Sequence, residues 1–270
     1  MAVARKWIGS FLLGLPEPLR SLRNWPILGN LAHRLSRRFL PPDEMVWARV
    51  ERGAGEGLWL ELNPRTGQHY LRGDIEPLIQ KILSKGLKPG MVFYDLGANI
   101  GFFSLLAARL VGAAGQVFSF EPDAEIAGRL RRNITRNGFI NATVVEAGIW
   151  SASGNVNFVT ADLSSPDRGV GKFVLDEKSA AGTPTRCVAL DEFVRGAPAP
   201  DVIKCDVEGA EIEVFRGAEN LLTSRHPLIV CEMHSAANDK FLREYFARFG
   251  YRLESVDDLH VLAVPQMAVK

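Results

Sequence analysis

The sequence predicts an α/β protein: a mainly parallel sheet with helices on both faces, preceded by a helical N-terminal extension. Three observations predict it. From residue 90 onward, short apolar runs alternate with segments of helical periodicity, the pattern of strand–helix–strand units. Polar residues gather directly after the apolar runs, and right-handed crossovers bring such loops together on one rim of a parallel sheet. A chain of 270 residues, 47% hydrophobic, also buries enough surface to hold its core without disulfide or metal staples.

Each element follows in order. Val92-Phe93-Tyr94-Asp95-Leu96 is a buried strand that Gly97 ends. Ile100, Phe103, Ala107, Leu110 and Val111 recur at helical spacing, and Gly112 stops that helix. Val117-Phe118-Ser119-Phe120 is the second strand. Asp123 is an N-cap for a helix with Ile126, Leu130 and Ile134 on one face and Gly138 past its end. Ala142-Thr143-Val144-Val145 is the third strand. Residues 148–200 read as an irregular insertion, with strand-like runs at 155–159 and 186–190 around a polar loop at 164–171. Residues 201–205 form the fourth strand, and one helix carries Ile212, Phe215, Leu221 and Leu222. Residues 228–231 form the fifth strand. A helix through Phe241, Leu242, Tyr245, Phe246 and Phe249 ends at Gly250, and residues 251–254 and 260–264 close the fold as a strand pair.

Composition narrows the function. The 32 Lys+Arg against 31 Asp+Glu argue against a nucleic-acid binder, which carries a basic excess. Cys187, Cys205 and Cys231 are odd in number and none sits in a C-x-x-C pair, which fits a reducing compartment and a cytoplasmic protein. No apolar run reaches the ~18 residues of a membrane span. Residues 1–42 stand apart: seven Arg/Lys and one acid give +6, leaving −5 for the rest. Their apolar stretch 7–15 lacks a small-x-small cleavage site. They are expected to form short helices packed on the main domain, with peripheral membrane or partner contact as the sharper alternative.

The loop after the first strand selects the ligand. Gly97 and Gly101 are present, but not the G-x-G-x-x-G of a dinucleotide fold. Asp95 beside this loop would repel a pyrophosphate, which wants bare N–H groups, but suits a ligand bearing an ammonium and a sulfonium. S-adenosylmethionine is such a ligand. Gly97 and Gly101 are expected to let backbone approach it closely, and Glu121, at the tip of the second strand, to accept from both ribose hydroxyls. Glu146 ends the third strand in the equivalent place.

The segment Asp95-Leu96-Gly97-Ala98-Asn99-Ile100-Gly101 with Ser104, then Phe120-Glu121-Pro122, resembles the cofactor half of the FkbM-family methyltransferases. Residues 203–211 with Arg216-Gly217-Ala218, and residues 227–234, resemble that family's second and third signatures, over roughly residues 70–265. The resemblance implies a seven-stranded, Rossmann-like sheet with its last strand antiparallel. It also implies O-methylation of a hydroxyl on a small-molecule, sugar or lipid acceptor. Tyr70, Gly73, Glu76 and Pro77 resemble a segment that helps to cover the cofactor. Three parts result: the extension 1–42, a covering segment 43–88, and the methyltransferase domain 89–270. The cofactor set is Glu76, Asp95, Gly97, Ala98, Asn99, Gly101, Glu121 and Glu146.

A hydroxyl is a poor nucleophile, so a base should help it lose its proton. Candidates lie after the fourth and fifth strands: Asp206 and His234 first, then Glu208 and Glu232. Glu208 and Glu211 could instead serve a helix start, and Lys204 could be a buried partner of Glu232 or Asp206. Asp206, Glu232 and His234 would also suit Mg²⁺, but nothing further in the sequence supports it and no metal is assigned. His33, His69, His226 and His260 fall off the expected rim. Two other classes compete: a non-catalytic S-adenosylmethionine-fold protein, which would not need acids at Asp95 and Glu121, and a nicotinamide-dependent oxidoreductase, which would need the missing glycine fingerprint.

Overall fold

The computed structural model describes residues 45–63, 66–160, 171–174 and 181–266. The basic extension 1–42 and nearly all of the loop 164–171 lie outside them. The strands are β1 (Val46–Arg49), β2 (Trp59–Leu62), β3 (Val92–Leu96), β4 (Gln116–Phe120), β5 (Ala142–Val145), β6 (Gly148–Ile149), β7 (Gly154–Val159), β8 (Lys172–Phe173), β9 (Thr183–Val188), β10 (Val202–Cys205), β11 (Leu228–Glu232), β12 (Tyr251–Ser255) and β13 (His260–Pro265). The helices are α1 (Gln68–Arg72), α2 (Pro77–Gly86), α3 (Phe102–Val111), α4 (Ala124–Arg136), α5 (Leu190–Phe193), α6 (Glu211–Arg216), α7 (Glu219–Ser224) and α8 (Ala236–Arg248).

Seven strands form one sheet in the order β12-β13-β11-β10-β3-β4-β5. The pairs β3–β4, β4–β5, β3–β10 and β10–β11 are parallel, and β13 runs antiparallel to both β11 and β12. The chain winds outward from β3 through β4 to β5, then returns to the other side of β3 as β10. That reversal opens a crevice between the β3 and β10 loops, where ligands bind in such folds. The sheet is covered on both faces because its strands alternate. Phe93 packs among Leu105, Leu106 and Leu83 on one face, while Tyr94 and Leu96 pack among Phe215, Leu222 and Phe246 on the other. Asp123 caps α4 as expected, accepting from the backbone N–H of Glu125 and Ile126.

Four features depart from the sequence reading. The insertion is not irregular: β6, β7, β8 and β9 form a second sheet in the order β6-β9-β7-β8. Its two longer strands, β7 and β9, are polar and exposed over their first halves, so they carry little of the apolar alternation that marks a strand. The run expected to end at Leu190 stops at Val188, and Leu190 opens α5. The single helix expected through Leu222 is two, α6 and α7. A Cβ on Gly217 would lie 2.3 Å from the carbonyl of Trp150, so the chain turns there, and Asp191 caps α7 by accepting from Asn220 and Leu221. Finally, the covering segment holds an antiparallel pair, β1–β2, docked on α4 through Asn133 and Asn137, which accept from the N–H groups of Glu61 and Trp59. Among the described residues no helix is long and apolar enough to cross a membrane.

The crevice depends on one close approach. Gly97 (φ 77°) lies so near β10 that an added Cβ would sit 1.8 Å from the carbonyl oxygen of Asp206. Gly97→Ala is expected to cost about 2–5 kcal/mol in chemical denaturation, combining overpacking with a left-handed backbone. Gly138 has a similar φ, 72°, but nothing within 4 Å, so Gly138→Ala should cost only about 1–2 kcal/mol.

Candidate active site

The first wall of the site is built by β3, β4 and the loops they feed. Asp95, the next-to-last residue of β3, is 1% exposed. Its Oδ2 accepts from the Ser104 hydroxyl at 2.5 Å, and Ser104 in turn accepts from Ser119 at 2.8 Å. Its Oδ1 is buried with no hydrogen-bond partner. Burial pushes the Asp95 carboxyl up, against the nearby Lys204 ammonium and the Ser104 hydroxyl. Glu121 spans the loop: one oxygen accepts from the N–H of Asn99 at 2.9 Å and the other from that of Asp123 at 3.0 Å. Burial raises its pKa to about 7 despite those two donors. Each oxygen keeps a second lone pair, and Glu121 lines the cleft together with Gly97, Asn99 and Ile126.

The opposite wall comes from β10 and the small sheet: Asp206 and Glu208 at the rim, with Phe158 and Phe173 above. Lys204, on the middle of β10, is 4% exposed. Its ammonium lies 3.0 Å from Asp206 and over the Phe103 ring at 4.9 Å. Burial works against its charge, but Asp206, Glu76 and Asp95 outweigh it and hold the proton firmly. Burial likewise opposes ionisation of Asp206, yet Lys204, with His234 and His260, keeps that carboxyl below its usual range. Glu208 sits at φ 54°, a strained backbone for a non-glycine residue and a feature of functional sites. Burial pushes its carboxyl up, partly offset by His234.

His234 joins the walls. Its Nδ1 lies 2.7 Å from the fully buried carboxylate of Glu211, which also accepts from Asn238 and from the N–H of Gly209. Its Nε2 faces Glu208 at 3.3 Å, Asp206 at 3.7 Å and Glu232 at 3.8 Å. The Glu211 hydrogen bond, outweighing burial, raises the imidazole pKa to about 9.

The four candidates after the fourth and fifth strands, Asp206, Glu208, Glu232 and His234, therefore meet in one cluster. The cofactor set divides. Gly97, Asn99 and Glu121 line the cleft, whereas Asp95 is buried and not part of its lining, and Ala98 is buried in the apolar core. Gly101 (φ 90°) opens α3, and a Cβ there would meet Leu130 at 2.1 Å. Contacts within the chain alone already require both glycines. Glu146 is half-exposed in a 2.8 Å pair with Arg131, and its neighbour Ala147 takes the place on the cleft. Glu76 turns away from the cleft toward His260, at 3.5 Å.

Two residues were missed. Glu211 read as a helix-start acid, because only the β11 loop folding back over α6 puts His234 against it. His260 seemed off the rim, but β13 lies beside β11 with His260 opposite Glu232. Sequence spacing alone carries no sign of that register. Its Nδ1 is 2.8 Å from Asp257. Burial opposes its charge, but Glu232, Glu76 and Asp257 raise its pKa to about 10.

The strand order and a polar cleft at its carboxyl rim define a Rossmann-like domain of the methyltransferase type. The chain belongs to the FkbM methyltransferase family: the model of the methyltransferase FkbM domain matches residues 95–253. It is 31% identical over 175 residues to hexuronic acid methyltransferase AglP of Haloferax volcanii, covering 63% of this chain and 66% of that protein, just under two thirds of its length. It is 28% identical over 220 residues to 31-O-demethyl-FK506 methyltransferase FkbM of Streptomyces tacrolimicus, covering 72% and 80%. The FkbM methyltransferase structure from Methylobacillus flagellatus overlaps 69% of this chain and 52% of its own at a TM-score of 0.48 and 16% identity.

The His234 pair makes stability depend on pH. A raised histidine pKa stabilises the fold fully below the unfolded value of about 6.5 and loses that stabilisation as pH rises through about 9. His234→Gln should therefore cost more at pH 6 than at pH 10, by about 1–2 kcal/mol after allowance for partial solvent access. Urea denaturation at the two pH values checks this.

Proposed function

We propose that this methyltransferase is S-adenosylmethionine-dependent and O-methylates a hydroxyl on a sugar or other small molecule. The observation that carries the reading is the Asp95 carboxylate, buried under the glycine loop with one oxygen unpaired. A buried acceptor without a donor is costly, and a ligand ammonium would satisfy it. The residues present fit the cofactor further: Glu121 retains acceptor capacity toward the cleft for two ribose hydroxyls, and Ile126 offers an apolar surface. Asp95, Glu121 and the backbone of residues 97–99 would hold it. Bound there, S-adenosylmethionine supplies a methyl group already activated on a sulfonium.

The chain's own work is then to position the acceptor, exclude water and take one proton. Phe158 and Phe173 of the small sheet roof the cleft and keep water from it. His234 is the base. Glu211 fixes its ring through Nδ1 and leaves Nε2 facing the rim, where Asp206 and Glu208 stabilise the imidazolium that forms. With a pKa of about 9, roughly one imidazole in a hundred is free at pH 7. Activity should therefore climb with pH to a limb near 9. His234→Gln should lower kcat by about 10²–10⁴-fold and abolish that limb. A pH profile flat from 7 to 10 in the unaltered enzyme would remove His234 from this role. The relatives' acceptors, a hexuronic acid and a 31-O position by name, support an oxygen nucleophile.

Calorimetry tests the cofactor reading. Asp95→Asn and Glu121→Ala should each weaken S-adenosylmethionine binding by about 10–100-fold, the worth of a charge-assisted hydrogen bond, with the circular dichroism spectrum retained. NAD should give no heat. Tight NAD binding without S-adenosylmethionine binding would reverse the reading.

A further inference from the structure

A second cluster lies behind the catalytic one, and it has the marks of a metal site. Three atoms face one another there: Oε2 of Glu76, Oε2 of Glu232 and Nε2 of His260. The histidine side chain is 7% exposed. Its Nε2 and the Glu76 Oε2 are both buried with no hydrogen-bond partner. Such atoms are rare and ask for a ligand.

The separations say which kind. Nε2 lies 3.5 Å from Glu76 and 3.6 Å from Glu232, too long for charged N–H···O bonds, which close to about 2.7–2.9 Å. Ligands bound at about 2.0–2.2 Å to a tetrahedral ion stand about 3.3–3.6 Å apart along each edge. Around an octahedral Mg²⁺ at about 2.0–2.1 Å, adjacent ligands stand only about 3 Å apart. The two edges from Nε2 match the tetrahedral value, and all three atoms lie within 4.8 Å of one another.

The surroundings fit the same ion. Asp257 Oδ1 accepts from His260 Nδ1 at 2.8 Å and is itself fixed by the N–H groups of Leu259 and His260. Without metal the surrounding carboxylates hold the imidazole protonated; a carboxylate on the far nitrogen keeps the proton at Nδ1, so an ion displacing the Nε2 proton would meet a lone pair turned inward, as metal-binding histidines require. One imidazole with two carboxylates suits zinc or a similar divalent ion better than the all-oxygen preference of Mg²⁺.

We propose that Glu76, Glu232 and His260 form a zinc-type divalent metal site that ties the turn before α2 to β11 and β13. It shares Glu232 with the Asp206–Glu232–His234 grouping but has its own histidine, and it does not depend on the acceptor or the methyl donor. Glu76 is thereby a metal-holding residue, and Glu232 presents one oxygen to each histidine.

The test uses the full-length chain, stripped by chelator, dialysed, and titrated with zinc chloride or, in parallel, magnesium chloride. Bound metal is counted by mass spectrometry and the melting temperature is followed. One zinc per chain at micromolar concentration, a higher melting temperature with zinc, and neither effect with magnesium are expected. Glu76→Gln and His260→Gln should each weaken zinc binding at least tenfold, while His234→Gln retains it. Should His260→Gln not fold, Glu76→Gln, at the partly exposed start of α2, carries the comparison. No stoichiometric zinc in the unaltered chain, unchanged zinc affinity in Glu76→Gln, or loss confined to His234→Gln would overturn the proposal.

Discussion

The ammonium of Lys204 is the charge around which the rim is arranged. It sits on a central strand, paired in register with Asp95 on one side and Val230 on the other, with its head against Asp206. A lone buried cation would give up its proton, and the carboxylates around it would take theirs back. Together they hold their charges: Lys204 keeps Asp206 ionised and draws Asp95 toward ionisation against its burial. Removing one member leaves the others uncompensated in a low dielectric, which is far costlier than replacing the set. The cleft floor is therefore polar and rigid at once.

From that floor the two walls divide their work. Asp95 and Glu121 present acceptors that the chain leaves partly unsatisfied, on a loop held closed by Gly97 against the Asp206 carbonyl. Across the cleft, two histidines are each fixed on Nδ1 by a carboxylate, His234 by Glu211 and His260 by Asp257. Each therefore aims its Nε2 in a set direction, one at the cleft and one at the interior. Glu232 lies between them, within 4 Å of both. The strained backbone angles of Glu76, Asn99 and Glu208 fall on the same rim, where local strain is tolerated for function.

Much of this was legible in the sequence because parallel strands announce themselves. β3, β4, β10 and β11 are largely apolar and buried on both faces, β5 less so at the sheet edge, and each is followed by the polar residues that its loop puts on the rim. Asp95, Glu121, Asp206 and His234 were readable for that reason. What escaped depends on pairing between distant segments. The register of β13 against β11 brings His260 to Glu232, and the fold-back of the β11 loop brings His234 to Glu211. The small sheet escaped because its two longer strands are polar and exposed over half their length and are separated by a long polar stretch. Gly97 was noticed from the loop pattern, but the Asp206 carbonyl that also needs its missing Cβ was not readable from spacing. Glu146 failed because a carboxylate at a strand tip can turn outward, and Arg131 on α4 is there to receive it.

The central claim is that the notch between the β3 and β10 loops holds a ligand carrying both an ammonium and a ribose. Crystals grown with S-adenosylhomocysteine test it most directly, since the product keeps both groups and transfers nothing. The account requires density with the amino group within hydrogen-bond reach of Asp95 Oδ1 and both ribose hydroxyls on Glu121. Density for the product at any other place, or a notch filled by Phe158 and Phe173 with the product absent at saturating concentration, would contradict it.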